Sequence, residues 1–252
     1  MSRSARKTAA ARFRKHMRCS NELHRSYLNE PGQLEQYDHF TEWQMAYLLT
    51  FFTDLHERPG YGQAIDFTMS DLAGVGVSHR DRDLERAAPA ITRMLPLTAL
   101  QTIAAAAKLN ARVLQVNLGI LGHLQVGGKL PATISRRVYY VACRESSTLD
   151  ECIELVHLAT NLGITLKTLV GMPLLGAMLR GMRGPAYVAG FGALQDFLES
   201  GYSKFREIPD IDHFLSEIEA RMTKYFETIF TKPLSELDYP GNGSSPEFPA
   251  PA

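Results

Sequence analysis

The stretch TALQTIAAAAKLNARVLQVNLGILGHL, residues 98–124, decides the fold class. It is rich in alanine and leucine, which favour helix, and its apolar residues recur at intervals of three and four. Gly127, Gly128 and Pro131 end the pattern. The sequence therefore predicts one long amphipathic helix from Thr98 to about Leu124, with its apolar side in a core.

The sequence on both sides has the same character, with helical patterns separated by proline and glycine. Val138–Val141 has strand propensity, but a single strand would have no partner, so we assign it to a helix. Pro173 and Pro185 each fit the first turn of a short helix. The further predicted helices begin and end near residues 5–28, 36–57, 61–72, 78–95, 133–143, 148–170 and 210–229.

This reading predicts an all-α protein with a single globular domain of about nine helices, arranged like a bundle, over residues 5–237. Nothing inside that range resembles a linker. Residues 238–252 hold four of the 13 prolines together with glycine and serine. We expect this tail to be disordered.

The formal charge is zero and the pI is about 7.1, which excludes a strong overall attraction to nucleic acid or anionic membranes. The charge is uneven, however, because residues 1–18 hold seven of the 27 basic residues and no acidic one. The remainder has 20 basic and 27 acidic residues, a net charge of −7. We interpret residues 1–18 as a basic arm leading into the first helix, which is either merely solvated or in weak contact with phosphate or lipid headgroups.

The three cysteines, Cys19, Cys143 and Cys152, are too few and too widely spaced for a disulfide framework or a structural zinc site. The N-terminus lacks the apolar segment of a signal peptide. The longest apolar run, Leu169–Leu179, is shorter than the ~18 residues that a transmembrane helix needs. We therefore expect a cytoplasmic protein without a transmembrane segment.

The most unusual stretch is residues 169–192, where six glycines interrupt a helical, methionine-rich pattern. Glycine weakens a helix but allows close packing or the approach of a ligand. Three readings remain open: tight internal packing, a hydrophobic pocket or partner groove, and shallow membrane contact. The candidate binding residues are Gly171, Met172, Gly176, Met178, Arg183, Gly190 and Phe191.

Two weaker patterns point to other chemistry. Glu154 and His157 form a Glu-x-x-His pair, and His123 lies among apolar residues, so these three are candidate metal or haem ligands. Arg80, Asp81 and Asp83 begin a predicted helix and could form a polar network with Arg183 that binds an anion, although a solvated, capping helix end explains the same pattern. There is no catalytic or nucleotide-binding motif, and the sequence implies no particular cofactor.

Two segments resemble a bacterial family known by its FFLEELY motif. They are DFTMSDLAGVGVSHRDRDLERAAP, residues 66–89, and MRGPAYVAGFGALQDFLESGY, residues 182–202. Residues 67–74 stand where that family has FFLEELYG, with one aromatic residue of the pair and without the tyrosine. The resemblance implies a helical, bacterial, cytoplasmic protein and adds no activity.

These observations favour a non-enzymatic helical protein that binds a hydrophobic small molecule or a protein, including a second copy of itself, through residues 169–192. The alternative is a helical haem or metal protein that uses His123, His157 or Glu154. A third hypothesis is an enzyme built on Arg80, Asp81, Asp83 and Arg183.

Overall fold

The computed structural model describes residues 2–68, 84, 86–89, 91–93 and 95–236. Most of these residues are helical, and the single β-bridge among them joins Val126 to Lys129. The all-α prediction is therefore confirmed. The predicted tail, residues 238–252, lies outside the described residues. The helices are α1 (Ser2–Leu23), α2 (Gln33–Leu49), α3 (Thr53–His56), α4 (Gly62–Asp66), α5 (Leu97–Leu124), α6 (Arg136–Ser146), α7 (Leu149–Val170), α8 (Leu175–Val188), α9 (Gly192–Arg206) and α10 (Ile211–Thr231).

The predicted long helix, α5, lies at the centre of the fold, and α1, α2, α6 and α7 pack against it. α1 runs parallel to α5. Near its start, Arg6 donates to the carbonyl of Leu95 (2.7 Å), and near its end Ser20 accepts from Asn110 (3.4 Å). Phe13 and Met17 of α1 pack between these points against alanines of α5. The N-terminal segment is thus a docked helix rather than a loose arm.

Local capping signals set several helix ends. The Thr148 side chain accepts from the backbone N–H of Glu151, and the Glu151 carboxylate accepts from the Thr148 N–H, which makes a capping box. Asp210 caps α10 by accepting from His213 N–H at 3.0 Å. α7 and α10 therefore begin where the sequence predicts, near residues 148 and 210. The glycines after α5 form the predicted turn, because Gly127 and Gly128 have φ of 60° and 80° and close the Val126–Lys129 bridge.

Two predicted helix boundaries are wrong. The helix predicted for residues 36–57 is broken at Phe52, whose φ of −121° separates α2 from α3. Arg221 of α10 donates to the Phe51 carbonyl at 3.0 Å and so satisfies a group that the break frees. Pro185 does not start a helix but lies inside α8, where its ring removes one helical hydrogen bond.

Aromatic side chains from α2, α6 and α10 form the middle of the main core. Tyr139 of α6 packs edge-on against Trp43 and Tyr47 of α2, with ring centroids 5.0 and 6.1 Å apart. Tyr225 of α10 contacts Tyr47 at 6.2 Å and packs edge-on against Phe51, just after α2, at 5.0 Å. These contacts join three helices that are distant in sequence into one hydrophobic cluster.

Candidate functional site

The glycine- and methionine-rich segment covers the end of α7, all of α8 and the start of α9. α8 and α9 form a hairpin held by polar contacts on one side of α8. Tyr187 donates to the Asp196 carboxylate at 2.6 Å, and Gln195 donates to the Leu179 carbonyl at 2.7 Å. Arg183 forms an ion pair with Glu199. Every one of these contacts uses the side of α8 that faces α9.

The opposite side of α8 has no described neighbour and carries a regular stripe. Its five members follow one another at intervals of three, four, three and four residues, the repeat that keeps side chains on one face of a helix. All five are exposed, and they are Leu174, Ala177, Gly181, Gly184 and Val188. Leu174 exposes 77% of its surface and Val188 exposes 92%. We call these five residues the α8 outer stripe.

The glycines of the segment serve different purposes. Gly176 lies against Tyr202 of α9, whose hydroxyl would be 2.9 Å from an added Cβ, so close helix packing requires it. Gly190 has φ of 79° in the turn between α8 and α9. A Cβ at Gly181 or Gly184 would meet no atom of a described residue within 4 Å. The packing of the described chain therefore explains the first two glycines and not the two on the outer stripe.

The other predicted residues of the segment lie around this face. Met172 is 38% exposed in the connection between α7 and α8, where Gly171 caps α7. Met178 is half-buried beside the stripe. Phe191 is half-buried at the start of α9, with the Arg86 guanidinium 5.8 Å from its ring centre. Ile164, inside α7, is also exposed, as is Tyr187 near the end of α8.

The structure does not bring the candidate metal ligands together. Glu154 of α7 lies 3.5 Å from Lys108 and 3.8 Å from Arg112 of α5, whereas His157 lies 3.7 Å from Glu219 of α10. His123 is exposed near the end of α5. Within the described residues, no group of three or more histidine, cysteine or carboxylate side chains is close enough to hold a metal ion.

The polar network proposed for Arg80, Asp81 and Asp83 falls outside the described residues. Its fourth member, Arg183, pairs with Glu199.

Sequence reasoning missed a buried polar network in the aromatic core. The Tyr139 hydroxyl lies 2.8 Å from the Tyr225 hydroxyl and accepts from the Gln44 amide at 3.0 Å, while Gln44 also donates to Asn117 at 3.3 Å. Tyr47 and Tyr140 form a second hydroxyl pair at 2.9 Å. The sequence feature that could have indicated it is the set of tyrosines at core positions of three helices, because a buried phenol hydroxyl needs a hydrogen-bond partner.

Burial raises the pKa of Tyr139 and Tyr225 well above that of free tyrosine, and it raises the pKa of the Cys143 thiol to about 12. These groups therefore stay protonated at neutral pH. No buried side-chain nitrogen or oxygen atom in the described part lacks a hydrogen-bond partner. The network thus has the properties of a satisfied structural core rather than those of an acid–base site.

One described helix, α7, is long and apolar enough to cross a membrane by length and composition, with a mean hydropathy of 1.2 over 18 residues. Helices in the core of a protein can have the same length and composition. α7 also carries Asp150, Glu151 and Glu154 in its first two turns and packs against α5 and α10. The described residues thus contain no clear transmembrane segment.

The chain matches no curated protein and no solved structure. One family model matches residues 23–235, which covers α2 to α10 and omits nearly all of α1. The matched range contains the aromatic core and the α8 outer stripe, and the description of the family assigns it no function. On this match the chain belongs to the family described as a domain of unknown function, DUF8198.

Proposed function

We propose that this protein is a non-enzymatic helical interaction domain whose α8 outer stripe packs against the same helix of a second copy. The observation that supports this most is the exposure of the stripe. Two of its glycines, on which an added Cβ would meet no described atom within 4 Å, lie between the large apolar residues at its ends. Small residues let two helix backbones approach closely, and large apolar residues then gain most from burial.

The order of residue sizes along the stripe favours a second copy as the partner. Leu174 and Val188 stand at the ends, with Ala177, Gly181 and Gly184 between them. In an antiparallel pair related by a twofold axis, Leu174 of one copy lies near Val188 of the other, and the glycines lie at the crossing point. Such a face is complementary to itself, as a twofold interface requires.

The expected association is weak. Burying Leu174 and Val188 on both copies contributes about 1.5–3 kcal/mol for each side chain. Association itself costs roughly 4–15 kcal/mol. The balance points to a dissociation constant in the micromolar range or above, so the test must extend to high protein concentration.

Sedimentation velocity at increasing protein concentration tests the proposal with Gly181→Gln and a matched control, Gly122→Gln. Both positions are exposed helical glycines with no atom within 4 Å of an added Cβ. Both variants should fold and gain roughly 0.5–1 kcal/mol of stability, because glutamine is the better helix former. Only Gly181→Gln should abolish the dimer, since its side chain blocks the close approach.

Two results would overturn this proposal: a wild-type protein that stays monomeric up to hundreds of micromolar, or a Gly181→Gln variant that dimerises as the wild type does. Native mass spectrometry of the same samples separates the small-molecule alternative, because a retained ligand adds mass to the monomer. The proposal expects an unmodified protomer mass. The haem or metal alternative, with His123, His157 or Glu154 as ligands, predicts visible absorbance or bound metal in the same preparation.

The finer assignment to the bacterial FFLEELY-motif family is also a proposal, and with it bacterial origin and a cytoplasmic location. It is supported by the segments at residues 66–89 and 182–202, both of which fall inside the matched range 23–235.

A further inference from the structure

The exposed face of α1 carries a dense row of positive charge. Six basic side chains over the 16 residues from position 3 to position 18 are exposed, and they are Arg3, Lys7, Arg12, Arg14, Lys15 and Arg18. None of them forms an ion pair with a described residue, although Arg14 Nε donates to the Ala10 carbonyl at 3.2 Å. The first acidic residue of the helix is Glu22. We call these six side chains the α1 basic face.

The other side of α1 fixes this face to the body of the protein. Ala9, Ala10, Phe13 and Met17 are buried against the start of α5 and its neighbours. The Arg6 guanidinium donates to the carbonyls of Leu95, Thr92 and Arg93 at 2.7–2.9 Å. The basic face is therefore held in place, so less conformational entropy is lost on binding than with a flexible arm.

The positive field of this face acts on a nearby histidine. The pKa of His16 is lowered, first by burial and then by the charges of Lys15, Lys108 and Arg12. The rest of the chain carries a net charge of −7. A polyanion is thus attracted to α1 and repelled elsewhere, which gives one preferred orientation for contact.

We propose that the α1 basic face binds the phosphate backbone of duplex nucleic acid without sequence preference. The helix from Arg3 to Arg18 is about 22 Å long. Laid along a duplex, it passes about six base-pair steps of 3.4 Å each. Arg3, Lys7, Arg14 and Arg18 follow one another at intervals of four, seven and four residues, so they share one side of the helix and can reach phosphates together. Four of the six cations are arginines, whose planar guanidinium suits phosphate oxygens.

The structure favours nucleic acid over a lipid surface. A helix that lies in a membrane inserts its apolar side between the lipids, but the apolar side of α1 is already buried in the protein. Between positions 3 and 23, where side chains are described, the exposed residues of α1 are charged or small, including Ala11, and none is aromatic or a large aliphatic residue. Because its inner side is docked on α5, the helix also cannot enter a major groove fully, so base-specific contacts are not expected.

Fluorescence anisotropy with a labelled 20-base-pair duplex, on the full chain and at several salt concentrations, tests this proposal. We expect a dissociation constant of about 1–100 µM near physiological salt. The logarithm of the association constant should fall linearly with the logarithm of the salt concentration. Arg14→Gln with Arg18→Gln should weaken binding about tenfold and reduce the salt slope by about 2. The matched control, Lys129→Gln with Lys224→Gln, removes two exposed positive charges elsewhere and should leave both values unchanged.

Three outcomes would overturn the proposal. The first is a wild-type chain that does not bind the duplex even at low salt. The second is an Arg14/Arg18 variant that binds as the control does. The third is binding to phosphatidylserine vesicles without binding to the duplex, which would assign the face to a membrane instead. The α8 outer stripe is not involved, so none of these results bears on dimer formation.

Discussion

The hydroxyl groups of Tyr139 and Tyr225 lie 2.8 Å apart inside the main core, and each side chain is at most 2% exposed. Their hydrogen bonding is unequal. The Tyr139 hydroxyl also accepts from the Gln44 amide at 3.0 Å. Among the described residues, the Tyr225 hydroxyl bonds to Tyr139 alone. The core therefore depends more on the first hydroxyl than on the second, although both belong to the same residue type and have the same burial.

Tyr225→Phe should lower the free energy of unfolding by about 1 kcal/mol, because it removes one net hydrogen bond and leaves Tyr139 paired with Gln44. Tyr139→Phe should cost more, roughly 1–3 kcal/mol, because the buried Tyr225 hydroxyl then has no partner. Urea denaturation measures both values. Tyr27→Phe, at an exposed position, is the control and should leave the free energy of unfolding unchanged. Equal costs for the two core substitutions would contradict this assignment of partners.

Gly163 of α7 is required by the packing of α10. An added Cβ there would lie 2.3 Å from Cδ2 of Leu215 and 3.1 Å from its Cδ1. Gly163→Ala should therefore destabilise the fold by about 1–3 kcal/mol through overpacking, despite the better helix propensity of alanine. Gly122→Ala, with no atom within 4 Å, should instead stabilise the protein by roughly 0.5–1 kcal/mol.

Thermal denaturation of the two alanine variants separates these effects. Leu215→Ala in the Gly163→Ala background should cost less than the sum of the single changes, because it removes the atoms that clash. A Gly163→Ala variant as stable as Gly122→Ala would show that Leu215 moves aside without cost.

The features predicted from the sequence are those that local interactions determine. The extent of α5 and the starts of α7 near Thr148 and of α10 near Asp210 each depend on residues a few positions apart, so a single segment contains the whole signal. The break at Phe52 was missed because it depends on Arg221, which satisfies the freed carbonyl from 170 residues away.

The candidate surface was predicted as a segment but not as a face. The glycines of residues 169–192 marked it, yet glycine indicates neither an inward nor an outward position. Gly176 turns inward because Tyr202 packs on it, and Gly181 lies outward because α9 pairs with the other side of α8. The direction is thus set by tertiary contacts. The buried tyrosine pairs have the same origin, since their members are 86 and 93 residues apart.

The Asp54–Arg221 pair should make stability depend on pH in the acid range. The Arg221 guanidinium donates to both carboxylate oxygens, at 2.5 and 2.8 Å, and lowers the pKa of Asp54 from 3.8 to about 2. A lowered native pKa means that the unfolded state binds protons first as pH falls. The contribution is therefore fully present above about pH 5, one unit above the unfolded-state pKa, and is lost as pH falls through about 2.

Urea denaturation of the wild type and Asp54→Asn between pH 2 and pH 7 measures this contribution. The stability difference between the two proteins should be constant above about pH 5 and shrink towards zero near pH 2. Asp66→Asn, which removes an exposed carboxylate paired with His56, is the control for loss of one negative charge. A difference between wild type and Asp54→Asn that does not change over this range would exclude the pairing in solution.

The three cysteines should react at very different rates in the native protein. Cys143 and Cys152 are 3% and 2% exposed, and burial is the largest cause of the raised pKa of each thiol, to about 12 for Cys143. Because the thiolate is the reactive species, both are protected by exclusion from solvent and by protonation. Cys19 is half-buried beside Arg18 on α1.

Titration with a chromogenic disulfide at pH 8 should therefore show one fast-reacting thiol in the native protein and three in guanidinium. Cys19→Ser should remove the fast-reacting thiol. Fast reaction of two or more thiols in the native protein would mean that α6 and α7 separate far more often than this packing allows.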